Sequence, residues 1–255
     1  MDEREHLQQA SAQLYAIFAC YPARRAMWAC SCCVTREEIV ALTTVPLRSL
    51  SSNDLERYSF KAMTTWGESE DYRSFLPRLL ELCALDPGSS SVNIETICRK
   101  LEYAQWAKWP QEERQAIINY LLAFWQLLLT QEYNAFCCSA GDYLEALSQI
   151  LEDLSPFLRA WRQSEKAPAL RALADFVNEN GDELGASHTL KWLVGSLPTQ
   201  QQVITWLLES ATRQWLEDGF FRFEDQDFAE ELAAAADTLF FLNLWFTAPS
   251  HRLFS

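Results

Sequence analysis

The chain reads as all-α, an irregular antiparallel helical bundle or HEAT-like helical solenoid of about ten to twelve helices. Three observations lead there. Apolar residues recur at i, i+3 and i+4 over long stretches, the spacing of a helix face and not the alternation of a strand. Only seven Gly and nine Pro punctuate 255 residues, too few for the turns of a many-stranded sheet. Helix starts, an Asn, Asp or Thr with an acid or amide three residues on, recur along the chain. An apolar fraction of 49% with ten Trp argues against disorder. One all-helical domain, 1–255, is expected, with Asp86-Pro87-Gly88-Ser89-Ser90-Ser91 as its one candidate internal break. No fixed-period repeat is present.

Taken in order, Glu3 to Cys20 is an amphipathic helix with Leu7, Leu14, Tyr15, Ile17 and Phe18 on its buried face, stopped by Tyr21-Pro22. Ala23 to Val34 is irregular. Thr35-Arg36-Glu37-Glu38 is a capping box for a short helix ending near Thr44, and Pro46 to Leu50 is a connector. Asn53 caps a helix that Trp66-Gly67 closes, Gly taking the left-handed conformation. Glu68, Glu70 and Asp71 suit the positive end of the next helix, which Pro77 should kink or restart. A helix from Asn93 to Trp106 follows. The helix begun at Pro110 carries the widest stripe, Ile117, Ile118, Leu121, Leu122, Trp125, Leu128 and Leu129, as a central helix would. Asp142 caps a helix to Leu154, Ser155-Pro156 begins another, and Gln163 to Pro168 is a polar break. Two helices split at Gly181 are expected over 168–180 and 182–197. A Thr199-capped helix runs to Asp218, Gly219 marks a turn, and a last helix spans Asp225 to Phe246.

The densest group of specific residues is Arg57 to Leu82, RYSFKAMTTWGESEDYRSFLPRLLEL. Arg57 and Lys61 are like charges at i,i+4, which repel on an isolated helix, so an acid from elsewhere should meet them. Lys61, Trp66, Glu70, Asp71 and Arg73 form a candidate binding surface; the same residues also fit a structural corner whose ions pair with one another. Glu70 and Asp71 are adjacent, about 100° apart on a helix, and so do not make a catalytic carboxylate pair by themselves. Together with Cys30-Ser31-Cys32-Cys33 and Pro46-Leu47-Arg48, this stretch resembles a motif of a family of largely uncharacterised bacterial proteins. The resemblance implies a bacterial protein and brings no activity with it.

Eight Cys are present. The N-terminus, MDEREHLQQA, lacks the apolar core of an export signal, so a cytoplasmic location and free thiols are expected. Cys30, Cys32 and Cys33, with Cys20 upstream, are the one candidate zinc or redox cluster, although C-x-C-C is not the paired knuckle spacing of structural zinc sites and free Cys is also an ordinary buried residue. No cofactor is otherwise expected. The most apolar run, Ala116 to Leu129, is broken by Asn119 and Gln126 and is too short to span a bilayer.

Net charge is −14, unevenly placed: residues 1–130 hold 16 acids and 13 bases, residues 131–255 hold 19 and 8. Such a balance disfavours nucleic acid and anionic membranes and attracts basic proteins. The acidity peaks at Glu217 to Glu231, EDGFFRFEDQDFAEE, with seven carboxylates, one Arg and four Phe. Phe220, Phe221 or Phe223 would anchor a partner, with Glu217, Asp218, Glu224, Asp225, Asp227 and Glu230 as an acidic rim; alternatively the rings face inward and the acids solvate a helix start.

Phosphate loops, H-E-x-x-H and G-x-S-x-G are all missing, and His6, His188 and His251 are scattered. The sequence therefore favours a non-catalytic bacterial protein that binds another protein, most concretely an immunity- or antitoxin-like inhibitor that occludes a basic toxin. The alternatives are a helical scaffold or adaptor working through Lys61 to Arg73, and a cysteine-cluster zinc or redox protein.

Overall fold

The computed structural model describes residues 2–23, 26–85, 92–131, 138–191 and 195–247; segment 86–91 and His251 lie outside them. Among the described residues are twelve α-helices, two single-turn 3-10 helices and no strand. None of these helices is long and apolar enough to cross a membrane. The chain divides into two compact units, Met1–Leu127 with Ala135–Cys138, and Leu128–Asn134 with Ser139–Ser255.

The first unit holds α1 (Glu3–Phe18), α2 (Arg36–Thr44), α3 (Ser52–Lys61), α4 (Ser69–Leu85), α5 (Ile94–Tyr103) and α6 (Gln111–Leu128). Its core is α4, against which α1, α3 and α5 pack. Phe75, Leu76, Leu79 and Leu80 are fully buried, each stabilising by about 1.5–3 kcal/mol. Tyr120 of α6 donates to the Leu80 carbonyl at 2.8 Å. The α6 stripe is buried at Ile117, Leu121, Trp125, Leu128 and Leu129, with Ile118 and Leu122 half-buried; the helix on which α1, α3 and α5 converge is α4. That helix runs unbroken through Pro77 instead of restarting there.

The second unit holds α7 (Ala140–Ser148), α8 (Ser155–Arg162), α9 (Ala167–Ser187), α10 (Leu197–Leu207), α11 (Ser210–Arg222) and α12 (Ala229–Thr247). Here α9, α11 and α12 form the centre. Gly181 does not split α9, and Gly219 lies inside α11 and not at a turn. Both are close-approach positions: a Cβ on Gly181 would lie 2.7 Å from Thr238, and one on Gly219 would lie 2.9 Å from Leu170. Gly185, one turn on, faces Leu242. The rising register of these meetings makes α9 and α12 parallel. Helix α11 returns between them in the chain, with Arg213 over Phe240 and Arg222 beside Glu165. The helix expected from Thr199 to Asp218 is two, broken at Leu208-Glu209.

Three starts fall upstream of the expected cap. Ser51, Ser139 and Ser196 are the caps, each accepting from the amide three residues on, that of Asp54, Asp142 and Thr199.

Candidate functional site

The acidic elbow is the connection from α11 to α12. Phe223 to Phe228 make tight turns, with the Gln226 amide donating to the Phe223 carbonyl at 2.9 Å and the Ala229 amide to Gln226 at 3.2 Å. One ring, Phe228, is buried and holds the elbow onto the unit; Arg171 lies over it and Phe223 packs beside it. Phe220 and Phe223 are half-buried, and Phe221 is 71% exposed. Around it the acids sort into two groups. Glu217 pairs with Arg213 at 3.2 Å and Glu231 with Arg171 at 4.0 Å. Asp218, Glu224, Asp225, Asp227 and Glu230 are exposed, and among the described residues no ion pair engages them. Asp218 accepts only a neutral bond, from Gln214 at 2.9 Å. The elbow thus presents one apolar ring within a field of unneutralised carboxylates.

The motif stretch is built differently. Helix α3 ends at Lys61, short of the expected Trp66-Gly67. Residues 62–67 form a turn in which the Trp66 amide donates to the Lys61 carbonyl and the Met63 amide to the Trp66 carbonyl. Gly67 has φ +75°, and a Cβ there would lie 2.9 Å from Asp71 and 3.0 Å from Met27, so both conformation and space require glycine. Trp66 is 2% exposed, edge-on to Tyr58 at 5.5 Å. Asp71 is 1% exposed and accepts from the Glu68 amide at 2.8 Å, fixing the start of α4. Arg73 is mostly buried, over the Trp109 ring at 4.2 Å, donating to Tyr21 and paired with Glu113. Glu70 alone of the five candidates here is exposed, and Lys61 is half-buried. The stretch is a structural corner in its geometry.

This corner also clasps the cysteine loop. The Cys30 amide donates to the Thr65 carbonyl at 2.9 Å and the Gly67 amide to the Trp28 carbonyl at 2.7 Å. Lys61 Nζ and Arg57 Nη2 both donate to the Cys33 carbonyl, at 2.7 and 3.1 Å. Arg57 also pairs with Glu38, the acid that the Arg57–Lys61 spacing anticipates. The Sγ atoms of Cys30, Cys32 and Cys33 all lie within 4.8 Å of one another. Cys20 stands outside this group, its thiol turned back to the Ile17 carbonyl at 3.4 Å. Hydrogen bonding from Cys32 pulls the Cys30 thiol below its ordinary pKa, and the same bond pushes Cys32 up to about 11.

Two features had no sequence signal. Glu81 collects Tyr15, Arg78 and Arg48, at 2.6, 2.5 and 3.3 Å. Burial and this carboxylate raise the pKa of Tyr15. In the second unit a cleft of about 630 Å³ lies between α8 and α10, lined by Arg159, Arg162, Gln202, Thr205, Trp206 and Glu209. Of its two cations, Arg162 is already held by Glu209. His188 ends α9 at φ 59° and stacks on Trp245, with ring centroids 4.6 Å apart.

No family model, curated protein or solved structure matches the chain.

Proposed function

We propose that the chain works by binding a basic protein through the α11–α12 elbow, and that in its most concrete form it is an immunity- or antitoxin-like inhibitor covering the cationic cleft of a toxin. The observation that supports this most is the setting of Phe221, an exposed ring among Asp218, Glu224, Asp225, Asp227 and Glu230, none of them ion-paired among the described residues. Burying such a ring contributes about 1.5–3 kcal/mol, and the unneutralised field raises the rate of encounter with a cationic surface. The competing scaffold reading would use Lys61, Trp66, Glu70, Asp71 and Arg73. It has little support, because Trp66 and Asp71 are inside the first unit and present no face.

The test compares the wild-type chain with two variants, Glu224→Lys/Asp225→Lys/Asp227→Lys and Phe221→Ala, as baits in native lysate at low and moderate salt. Wild type should capture one stoichiometric basic protein, whose enzymatic activity it then inhibits when both are purified. Both variants should lose that protein, and so should raised salt, which shortens the screening length to about 8 Å at 0.15 M. Capture that survives the charge reversal removes the elbow from the interface and ends the proposal.

A further inference from the structure

The cysteine loop belongs to the other unit and calls for its own explanation. Packing accounts for Cys83 and Cys98, which are buried in the first unit. It does not account for Cys30, Cys32 and Cys33, which converge where Cys32 is exposed and the other two are half-exposed. We propose that these three sulfurs are a metal site, taking a thiophilic d10 cation of the zinc(II) class through three thiolates and leaving the fourth position open.

Spacing, rigidity and charge carry this. Tetrahedral zinc at about 2.3 Å from each sulfur needs sulfurs about 3.8 Å apart. Cys30 and Cys32 are 2.9 Å apart and Cys32 and Cys33 3.5 Å, with no pair in the group beyond 4.8 Å, so small side-chain rotations reach that spacing. The backbone is held without any metal. The Cys33 and Val34 amides both donate to the Cys30 carbonyl, at 2.9 and 3.0 Å, closing the turn that brings the sulfurs together. The Thr65 carbonyl anchors the Cys30 end, and Lys61 and Arg57 anchor the Cys33 end. A divalent ion on three thiolates leaves one net negative charge, and Lys61, whose Nζ is held on the Cys33 carbonyl at 2.7 Å, has no ion pair among the described residues. The donor set decides the class of ion: all sulfur and no carboxylate excludes magnesium and calcium and suits zinc(II) or copper(I). Binding replaces the thiol protons with the metal and releases them to solvent. Cys20 is not a ligand, so the fourth position falls to water or a small exogenous donor, as in zinc sites that keep an open place. This site is independent of the elbow and stands whether or not the elbow binds a partner.

The test uses the full chain, reduced, stripped with a chelator and titrated without oxygen, first with cobalt(II) and then with zinc(II). Wild type should bind one cobalt per chain with a sulfur-to-cobalt charge-transfer band of three-thiolate intensity, and one equivalent of zinc should abolish it. Lys61→Gln, which releases the Cys33 carbonyl, should weaken zinc about tenfold, as loss of an outer-shell partner does, and Lys61→Arg should restore it. Cys30→Ser, Cys32→Ser and Cys33→Ser should each weaken it further, while Cys20→Ser changes nothing. Far-ultraviolet circular dichroism should be the same for every variant, since the loop lies outside the helices. No band in the wild type, a band that persists when all three cysteines are serine, or a band that needs Cys20 would each overturn the assignment.

Discussion

In the first unit the charges of the motif region end on partners inside the unit: Glu81 on Tyr15, Arg78 and Arg48, Glu113 on Tyr21 and Arg73, Glu38 on Arg57. In the second, the densest run of charge faces water, and only its flanks, Glu217 and Glu231, find arginines. Both stretches look alike as sequence, acids and bases mixed with aromatic rings. What separates them is the supply of cations. The first half of the chain has nearly matched charges and can pair them, whereas the second has 19 acids for 8 bases and must leave carboxylates over. A surplus that cannot be paired internally is available for a partner.

The widest gap between the two regions should appear when an acid is removed from each. Glu113 is 5% exposed at its side chain and takes the Tyr21 hydroxyl at 2.6 Å and Arg73 at 3.5 Å. Glu113→Ala leaves a mostly buried guanidinium without its carboxylate, which costs about 3–5 kcal/mol in chemical denaturation. The elbow reversal at Glu224, Asp225 and Asp227 should stay within about 0.5 kcal/mol of wild type, because it breaks no contact. Equal losses from the two would mean that the elbow acids are structural after all.

A smaller effect sharpens the same contrast through the backbone. Gly67→Ala forces a Cβ into a left-handed residue and against Asp71, the side chain that caps α4. A loss of about 1–3 kcal/mol is expected from the strain, measured as a lowered denaturation midpoint. A midpoint equal to wild type would show that the corner yields, and that its rigidity is not what holds the cysteine loop.

How much of this was legible from residues alone follows from what each signal depends on. Helix number and type depend on periodicity, which is local, and they came through. Three helix starts came out late; at α7 the reason is that a Ser and an acid three residues apart cap each other reciprocally, so Asp142 reads as the cap when Ser139 is, the acid being its partner. Gly181 and Gly219 were read as breaks because a glycine shows no face in sequence. Their reason is a neighbour, Thr238 or Leu170, that only the packed unit supplies. Trp66 and Asp71 drew attention as a surface for the same cause, since side chains adjacent in sequence do not reveal burial. At the elbow the sequence located the acids but not the turn, which falls at 223–228 and not at Gly219, and it did not reveal that Phe221 is exposed while Phe228 is buried. For the cysteines, spacing picked out the three that converge and added Cys20, which does not join them.

The least effect expected is also the most specific, since it has opposite signs in the two units. Asp175 on α9 has its pKa raised above the ordinary 3.8, by burial first, then by Glu231 and Glu179, with Arg171 opposing. Asp54 on α3 has its pKa lowered below 3.8, by the Ser51 hydroxyl and amide that it accepts from. A raised folded pKa means that the protonated form is the one the fold prefers. The benefit of that form is complete below the unfolded pKa and is lost as pH rises through the folded value, so at neutral pH the Asp175 charge destabilises. For Asp54 the benefit is present above 3.8 and is lost as pH falls through its lower folded value. Asp175→Asn should therefore stabilise at pH 7, by a fraction of about 1 kcal/mol given its partial exposure, and raise the melting temperature, and Asp54→Asn should lower it. Scanned downward in pH, the Asp175→Asn gain should fade below its folded pKa and be gone below 3.8, whereas the Asp54→Asn loss should persist until below 3.8. If Asp175→Asn instead destabilises at pH 7, Arg171 outweighs burial and the two neighbouring acids, and the surplus of negative charge in the second unit is better neutralised than its geometry implies.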